Sequence, residues 1–342
     1  MENKTKQNQV SIAIIGCGLI GKKRMMNLDR SRVRIVCDIH LPRAEELARL
    51  APTCRATASF EEAIHSPEIN TVMIATSNNS LASLTRMAVE AGKNVLVEKP
   101  GGVSRQELEE IQILAKKKGV FIRIGFNHRY HPAFQKAYEI VKSGALGKMM
   151  FIRGRYGHGG RVGYDQEWRA DPQLSGGGEL MDQGVHLIDL AGSFLGDFTS
   201  IEGHAATYFW KMPVDDNAFL NLRTAGGQTA WLQVSCTEWK NLFSFEIYGT
   251  HAKLHIEGIG GSYGVEKLYF YKMLPEMGPP ETTIFEYPRG DQSWKLEMEE
   301  FFDDITLRRE PNPGIGEAIK ALEVVEKVYQ KSGYVFEAKQ ST

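Results

Sequence analysis

Three glycines between an apolar run and a helical pattern constrain the start of this 342-residue chain more than any other feature. The run VSIAII (10–15) has the composition of a buried strand, and LIGKKRMMNL (19–28) is typical of a helix. In that setting the G-x-G-x-x-G spacing permits a tight turn at Gly16, close approach of a pyrophosphate at Gly18, and close packing of helix and strand at Gly21. We therefore predict a dinucleotide-binding turn.

The helix after these glycines begins with Leu19 and Ile20, whose backbone N–H groups we expect to face the phosphates. Three cations, Lys22, Lys23 and Arg24, follow. They either contact phosphate or form a solvated face of the helix, and we favour the solvated face.

Asp38 ends the next apolar run, VRIVCD (33–38), 22 residues after Gly16. A carboxylate at this position accepts hydrogen bonds from the adenosine ribose and disfavours a 2′-phosphate. Asp38 therefore predicts NAD as the cofactor in preference to NADP. The competing interpretation is that Asp38 only caps the loop after its strand.

The first 126 residues alternate short apolar strands with amphipathic helices. Further strands are predicted at 71–76, 94–97 and 120–126, and further helices at 42–50, 80–92 and 104–118. We expect Gly92 to end its helix, and Ser104 with Glu107 to form a capping box. The alternation indicates βαβ units, so we predict an α/β Rossmann domain with a parallel sheet over residues 1–126.

After about residue 150 the pattern changes to short strands with aromatic and β-branched residues, separated by Gly, Asn and Asp turns. These strands are predicted at 151–158, 200–210, 216–224, 228–237, 243–250, 252–258 and 266–273. Helical stretches near 292–308 and 316–331 close the chain. We therefore predict an α+β domain over residues 127–342 with a large, mostly antiparallel open sheet.

Charge and cysteine usage exclude several classes of protein. With 41 basic and 42 acidic residues, the net charge of -1 gives no support for a nucleic-acid or membrane-surface binder. The polar start MENKTKQNQ lacks the apolar stretch of a signal peptide. The four cysteines show no C-x-x-C spacing, so we expect reduced thiols, no metal site and a cytoplasmic location.

A second constellation lies in SGGGELMDQGVHLIDL (175–190), where three glycines precede a helical pattern. Asp182 and His186 are four residues apart, so they share one helical face with mostly apolar neighbours. A carboxylate and an imidazole are costly in such surroundings unless they are partnered or functional. Taken alone, the pair is equally consistent with a structural hydrogen bond and with a catalytic role.

Together these features resemble the Gfo/Idh/MocA family of pyridine-nucleotide oxidoreductases over nearly the whole chain. The matching segments are AIIGCGLIG, the acid at Asp38, AGKNVLVEKP, GFNHRYHPAF and GGGELMDQGVHLIDL. The E-K-P step and the G-G-G…D-x-G-x-H run, in that order, are the specific part of the resemblance. One departure is TSNNSL (76–81), where relatives often carry T-P-x-x-x-H; it weakens the transfer of detailed contacts from this loop.

The resemblance implies that Lys99, Asp182 and His186 are catalytic and converge beside the nicotinamide ring. It also implies reversible hydride transfer between nicotinamide and a secondary alcohol or ketone. His186 then exchanges the hydroxyl proton, because imidazole titrates near neutral pH, while Lys99 polarises the carbonyl. Asp182 binds substrate hydroxyls or orients His186. The alternative assigns the proton to Lys99, because crowding can lower the pKa of a lysine.

The resemblance also extends the list of contacts. Cofactor-binding residues are Gly16, Gly18, Leu19, Ile20, Gly21, Asp38, Thr76, Glu98, Lys99, Asn127, Trp168 and Arg169. Substrate-binding residues are Lys99, Arg129, Tyr156, Arg161, Asp182 and His186. For the stretch Asn127–Tyr130, a structural role is an equal alternative.

The substrate that the family implies is a sugar, a sugar acid, an inositol or a nucleotide-sugar. Arg153, Arg155, Arg161 and Arg169 cluster in RGRYGHGGRVGYDQEWR (153–169). Such a cluster can bind a carboxylate or diphosphate through bidentate hydrogen bonds. The interpretation that we favour is that strand arginines, here Arg153 and Arg155, alternate to solvent.

Two other functions fit the same fold. A NAD-dependent glycosidase would oxidise its sugar transiently, eliminate and reduce again, without net NADH. A non-enzymatic sugar-sensing regulator would need no catalytic residues, and the presence of Lys99, Asp182 and His186 argues against it. We also expect a homo-dimer or homo-tetramer through the C-terminal sheet, where FSFEIYG and EKLYFYKM carry suitable aromatic residues.

Overall fold

The structure is a computed structural model that describes residues 10–276 and 278–334. Within it the chain divides into two compact units. The first ends at Phe126 and also includes Trp294–Ile319, and the second comprises Asn127–Ser293 and resumes at Lys320. Residues 294–319 thus belong to the first unit, whereas the sequence pattern predicts a second domain that includes them.

A parallel sheet forms the centre of the first unit. Its six strands among the described residues lie in the order β3-β2-β1-β4-β5-β6. Their bounds are β1 Ile12–Ile15, β2 Val33–Cys37, β3 Arg55–Thr57, β4 Thr71–Ile74, β5 Asn94–Glu98 and β6 Ile122–Gly125. All neighbouring strands pair in parallel. The predicted Rossmann sheet is confirmed, and the short edge strand β3 is an addition that the sequence analysis missed.

The helices of this unit follow the strands in alternation. They are α1 Leu19–Met26, α2 Leu41–Ala48, α3 Phe60–His65, α4 Asn78–Glu90 and α5 Arg105–Lys118. Gly92, with φ +73°, follows α4 as predicted. The predicted capping box is half right. Glu107 accepts the backbone N–H of Ser104, but the Ser104 side chain makes no capping hydrogen bond.

Residues 294–319 belong to the first unit because helix α9 (Ser293–Leu307) contributes to its core. Met298 and Phe301 lie in one apolar cluster with residues of β1 and β2. A buried ion pair between Arg123 of β6 and Asp304 of α9 adds a charged contact. Sequence patterning alone reveals neither contact, because both join residues far apart in the chain.

The described strands of the second unit form an eight-stranded sheet in the order β14-β13-β12-β11-β7-β10-β9-β8. Their bounds are β7 Met149–Gly157, β8 Phe198–Ala206, β9 Asn217–Thr224, β10 Thr229–Ser235, β11 Leu242–Gly249, β12 Ala252–Glu257, β13 Glu266–Lys272 and β14 Glu281–Tyr287. Only β7 and β10 pair in parallel within this described sheet. The predicted large, mostly antiparallel sheet is confirmed, and β14 was not predicted.

One face of this sheet is buried and the other is exposed. In β7, Ile152, Gly154 and Tyr156 are buried, whereas Arg153 between them is exposed. A Cβ at Gly154 would lie 3.5 Å from Leu187, so helix α8 (Val185–Leu195) packs on the buried face. The unit also contains the helices α6 Pro132–Lys142, α7 Pro172–Ser175 and the end of α10 Ile315–Ser332.

The carboxyl ends of four parallel strands carry predicted cofactor residues. Gly16 follows β1, Asp38 follows β2, Thr76 comes two residues after β4, and Lys99 follows β5. The strand order reverses between β1 and β4. Open α/β sheets bind their ligands where the strand order reverses, so the fold predicts a ligand site at the carboxyl end of β1.

All four cysteines lie in the described part of the chain and are free thiols. In the same ranges, no helix combines the length and the apolar composition that a membrane span requires.

Candidate functional site

The turn after β1 leaves room only for glycine at two of its three glycine positions. Gly16 adopts φ +91°, and a Cβ there would lie 2.3 Å from the carbonyl oxygen of Ala75. A Cβ at Gly21 would lie 1.9 Å from the carbonyl oxygen of Gly16. At Gly18, by contrast, no described atom apart from its chain neighbours comes within 4 Å of that position. The turn is therefore tightly packed on one side and open at Gly18, a shape that fits a pyrophosphate.

Helix α1 begins directly behind this opening. Gly18 is its N-cap, and in the described chain no side chain caps it. The first N–H groups of a helix have no partner within the helix, so those at Leu19 and Ile20 are suited to hydrogen-bond an anion. The residues that the structure brings together here fit the phosphates of a dinucleotide.

Asp38 connects the glycine turn with the loop after β2. One carboxylate oxygen accepts the N–H of Cys17 and the other that of His40, each at 2.9 Å. The bond to His40 is the loop-capping role that was the competing interpretation. An ionised carboxylate oxygen can accept a further hydrogen bond, so capping and ribose binding are compatible.

Two further cofactor candidates lie at the same edge of the sheet. Thr76 flanks the glycine turn, with its Cγ2 3.1 Å from the Cβ position of Gly16, and its hydroxyl accepts from Ser80 at 2.8 Å. Glu98, at the end of β5, accepts a hydrogen bond from Arg24 Nε at 2.8 Å. Glu98 thus holds helix α1 against the strand end.

Arg24 is fully buried within a cluster of charges. Besides Glu98 it pairs with Glu297 of α9, and its guanidinium lies 4.6 Å from the ring centroid of Trp294. Burial is the largest cause that raises the pKa of Glu297, to about 7, and the negative charge of Glu98 adds to it. The positive charge of Arg24 lowers the same pKa but does not outweigh them. The cluster was missed because its carboxylates are 74 and 273 residues away from Arg24 in the chain.

The predicted solvated face of α1 is right for Lys22 and Lys23, which are exposed, and wrong for Arg24. Two carboxylates compensate the burial of that guanidinium. Lys99 follows directly on Glu98 and is joined to Pro100 by a cis peptide bond. The ion pair of Glu98 therefore fixes the residue next to the predicted catalytic lysine.

In the second unit, Asp182 and His186 lie where α8 begins, and they are 8% and 4% exposed. Asp182 belongs to a π-helical turn, Leu180–Gly184, that precedes α8 and that the sequence analysis did not predict. Such turns occur frequently at functional sites. The carboxylate of Asp182 accepts from Arg169 Nε at 3.0 Å.

Asp215, which the sequence analysis missed, holds this helical start in place. Its carboxylate accepts the N–H groups of Gly178 and Leu180 at 2.9 and 2.8 Å and the hydroxyl of Tyr329 at 2.6 Å. A Cβ at Gly178 would lie 2.0 Å from the Asp215 carbonyl oxygen, which explains one of the three glycines. Burial raises the pKa of Asp215 to about 6. The available signal was the adjacent pair Asp215–Asp216 before strand β9.

A buried acid, Glu179, was also missed. The Tyr164 hydroxyl donates to one of its oxygens at 3.2 Å, and His158 Nε2 lies 3.3 Å from the other. Burial lowers the pKa of His158, but its hydrogen bond to Glu179 and the charge of that carboxylate outweigh burial, so the pKa is raised. His158 and Glu179 form an ion pair when the imidazole is protonated.

The imidazole of His186 stacks on that of His128, with ring centroids 3.8 Å apart and an interplanar angle of 21°. The Tyr156 ring lies 5.3 Å from His128 and 6.4 Å from His186. Burial raises the pKa of Tyr156 well above its usual range, so the phenol is neutral. Asn127, a predicted cofactor residue, donates its amide to the Ser293 hydroxyl at 2.9 Å.

The predicted arginines share one property, which is that each lies against a carboxylate of the second unit. The pairs are Arg129–Asp189, Arg153–Glu246, Arg155–Glu238, Arg161–Glu167 and Arg169–Asp182. The guanidinium of Arg169 also lies 4.7 Å from the ring centroid of Trp168. Within the described residues this region is therefore a set of ion pairs, not a concentration of uncompensated positive charge.

Two family models match the chain. The model described as an oxidoreductase family with an NAD-binding Rossmann fold matches residues 10–126. The model described as the GFO/IDH/MocA C-terminal domain matches residues 134–255. Together they cover more than half of the chain, in the order in which the two sheets occur.

Individual proteins are similar over most of their length. Levoglucosan dehydrogenase of Pseudarthrobacter phenanthrenivorans is 24% identical over 291 residues, 72% of this chain and 73% of the relative. D-xylose dehydrogenase of Paenarthrobacter nicotinovorans is 23% identical over 312 residues, 82% of this chain and 80% of the relative. A solved structure of levoglucosan dehydrogenase with NADH and levoglucosan has the same fold, with a TM-score of 0.83 at 22% identity, covering 94% of this chain and 98% of that one.

The glycine turn, the two sheets and both family models lead to one assignment. The chain belongs to the Gfo/Idh/MocA family of oxidoreductases, whose N-terminal domain is an NAD-binding Rossmann fold.

Proposed function

We propose that this oxidoreductase is a dehydrogenase that interconverts a secondary alcohol and a ketone on a neutral sugar or cyclic polyol. The observation that carries the proposal is the buried Asp182 and His186 at one helical start, in a chain whose other unit is an NAD-binding fold. Burying a carboxylate and an imidazole is costly unless they are partnered or used, and proton exchange at a hydroxyl is a use that suits imidazole.

Each catalytic candidate has a separate role in this proposal. His186 takes the hydroxyl proton during oxidation and returns it during reduction. Lys99 donates a hydrogen bond to the same substrate oxygen as negative charge develops there. Asp182, with Arg169 beside it, binds a neighbouring substrate hydroxyl or orients His186. The reverse assignment, in which Lys99 carries the proton, is an outcome that the variants below distinguish.

NAD supplies the hydride acceptor, and the chain's contribution is to bind and orient it. Gly16, Gly18 and Gly21 shape the pyrophosphate turn, Leu19 and Ile20 offer N–H groups, and Asp38 accepts from the ribose. Thr76, Glu98, Lys99, Asn127, Trp168 and Arg169 complete the proposed cofactor contacts. The domain of residues 1–126 is then proposed to bind most of the dinucleotide. The domain that follows, apart from residues 294–319, is proposed to bind substrate and to form the oligomer.

The paired arginines favour a neutral substrate over a sugar acid or nucleotide-sugar. A diphosphate or carboxylate is often bound by a guanidinium through paired hydrogen bonds, but Arg129, Arg155 and Arg161 already lie against carboxylates. Relatives of similar length are named for levoglucosan and D-xylose, and another for scyllo-inositol, all uncharged. Tyr156, Arg129 and Arg161 are then proposed to contact substrate through hydrogen bonds and ring packing.

A cofactor and substrate screen tests this function. The protein is melted with NAD and with NADP, and NADH formation is followed at 340 nm with anhydrosugars, pentoses, inositols, sugar acids and nucleotide-sugars. We expect stabilisation by NAD and turnover with a neutral sugar or polyol. Cleavage of a nitrophenyl glycoside without net NADH would indicate the glycosidase. NAD binding without turnover of any of these substrates would indicate the regulator.

The exposed face of the second sheet is proposed to form a homo-dimer or homo-tetramer. It carries Phe151 and Trp231, which are 38% and 43% exposed. Sedimentation equilibrium should give a mass above that of one chain, and Trp231→Glu should lower it, because a charge would be buried. Ile113→Glu is the control, because Ile113 is an exposed apolar residue of α5, outside this sheet, and is 71% exposed. A monomeric wild type would contradict the proposal.

A further inference from the structure

A hydrogen-bonded chain reaches the imidazole stack from one side. The Ser293 hydroxyl donates to Asp291 at 2.5 Å, and the Asn127 side-chain amide donates to the Ser293 oxygen at 2.9 Å. The other end of that amide, Oδ1, lies 3.2 Å from His128 Nδ1. His128 in turn stacks on His186 at 3.8 Å. Three side chains, those of Ser293, Asn127 and His128, therefore connect the partly exposed carboxylate of Asp291 to the face of His186.

The donor and acceptor of each hydrogen bond follow in turn from the Asp291 carboxylate, at which the series begins. An ionised carboxylate can only accept, so Ser293 must give its single proton to Asp291. The Ser293 oxygen is then an acceptor, which requires the nitrogen end of the Asn127 amide. The oxygen end therefore faces His128, and Nδ1 must carry a proton to donate to it. When His128 is neutral, these hydrogen bonds therefore hold it in one tautomer, the one protonated on Nδ1.

We propose that His128 is a positioning residue for His186, and that the stacked pair takes up a single proton, held by His186. This inference rests on the proposed role of His186 as the proton acceptor. The neutral ring of His128 presents its π face to His186, a favourable neighbour for an imidazolium. A second proton on the pair would put two positive charges in contact at low dielectric, which is unfavourable.

The titratable groups around the stack favour His186 as the holder of the proton. Asp182 lies one turn earlier on the same helical segment, and its carboxylate is paired with Arg169. On the strand side is Tyr156, a phenol that burial keeps neutral. On the His128 side, His131 lies 5.7 Å away and pairs with Glu266 at 2.9 Å. Of the two stacked rings, His128 is the one whose Nδ1–H donates to the side-chain amide oxygen of Asn127, which is uncharged.

Nitrogen NMR of the full chain tests the inference without any substrate. Protein labelled with ¹⁵N-histidine is titrated with acid, and the two signals are assigned from His128→Phe and His186→Asn. We expect His128 to show the Nδ1–H neutral tautomer and to stay neutral while His186 gains its proton. An Nε2–H tautomer, or protonation of His128 before His186, would overturn the inference.

A substitution within this series of hydrogen bonds gives a second, independent test of the His128 tautomer. Ser293→Ala removes the hydroxyl that orients Asn127, so both neutral tautomers of His128 should appear. Ser193→Ala is the matched control, because Ser193 is a half-buried serine of α8 that bonds to Tyr138 instead. An unchanged His128 signal in the folded Ser293→Ala protein would contradict the assignment.

Kinetics separate positioning from space filling. His128→Ala should lower kcat by about 10- to 100-fold, the usual effect of a misplaced catalytic group, with little change in the KM for NAD. His128→Phe retains a flat ring and should recover most of that loss. Equal loss in both variants would mean that the His128 nitrogens act directly. If no sugar is turned over, the proposed function fails, yet the NMR result still decides the tautomer.

Discussion

The rings of His128 and His186 lie face to face with centroids 3.8 Å apart, although the residues belong to different elements. His128 is in a short 3-10 turn, Asn127–Tyr130, and His186 is in α8. A bidentate ion pair between Arg129 and Asp189, with bonds of 2.8 and 2.6 Å, joins the same two elements. The ion pair and the ring stack therefore hold each other in register.

The ion pair between Arg129 and Asp189 predicts that Arg129→Ala lowers the stability of the protein. Removal of one partner would leave the Asp189 carboxylate buried without its main counter-charge, which costs roughly 3 to 5 kcal/mol. Urea unfolding followed by circular dichroism measures the loss. Lys320→Ala is the control, because its pair with Asp197 is exposed and should contribute less than about 1 kcal/mol. Equal losses in the free energy of unfolding for the two substitutions would contradict this role of the Arg129–Asp189 ion pair.

Two glycines, one just before α8 and one within it, are expected to respond to substitution in opposite ways. Gly178→Ala would bring a Cβ to 2.0 Å from the Asp215 carbonyl oxygen, so the helical start must shift or the protein unfolds. At Gly192, within α8, the nearest atom would be 3.9 Å away. Gly192→Ala should therefore raise stability by up to about 1 kcal/mol, because alanine favours helix. Thermal unfolding distinguishes the two, and a tolerated Gly178→Ala would show that the contact is not tight.

Sequence patterns predicted the parts of the fold that depend on local periodicity. The buried strands of the first sheet, such as the one before the Gly16 turn, and the aromatic strands of the second sheet were identified because each is an apolar or alternating run. Strand β3, Arg55–Thr57, was missed because three residues at a sheet edge carry no such run. The same reason applies to β14, whose residues are largely exposed.

The environment of the candidate residues was much harder to predict. The spacing of Asp182 and His186 identified the pair, but the π-helical turn depends on Asp215, which lies more than 30 residues further on. The buried position of Arg24 likewise depends on Glu297, 273 residues away. Long-range partners decide which charged side chains become buried, and one sequence contains no local signal for them.

The buried cluster around Arg24 predicts a dependence of stability on pH. The pKa of Glu297 is raised from 4.5 to about 7 in the folded chain. Its stabilising contribution is therefore complete below about pH 4.5 and lost as the pH rises through about 7, an effect of roughly 3 kcal/mol. The Glu297→Gln variant should lack this part of the slope. The free energy of unfolding is measured at pH 5 and pH 8 for wild type and for Glu297→Gln. The same change with pH in both proteins would contradict the assignment to Glu297.

Asp38→Ala should weaken NAD binding by about 5- to 150-fold, corresponding to 1 to 3 kcal/mol for lost hydrogen bonds in a buried site. The reasons are the lost ribose acceptor and the lost anchor for the Cys17 N–H. Calorimetric titration measures the dissociation constant. Asp29→Ala is the control, because Asp29 caps an exposed turn and should leave binding unchanged. Wild-type affinity in the Asp38 variant would leave only the loop-capping role.

The most direct test of the proposed chemistry is the rate of NADH formation at saturating NAD with the best neutral sugar. Wild type is compared with Lys99→Ala and His186→Ala, with NAD affinity measured in the same samples. We predict that each substitution lowers kcat by at least about 100-fold, the contribution of a general acid or base, while NAD still binds. Near wild-type turnover in His186→Ala would contradict the assignment of the proton to that imidazole.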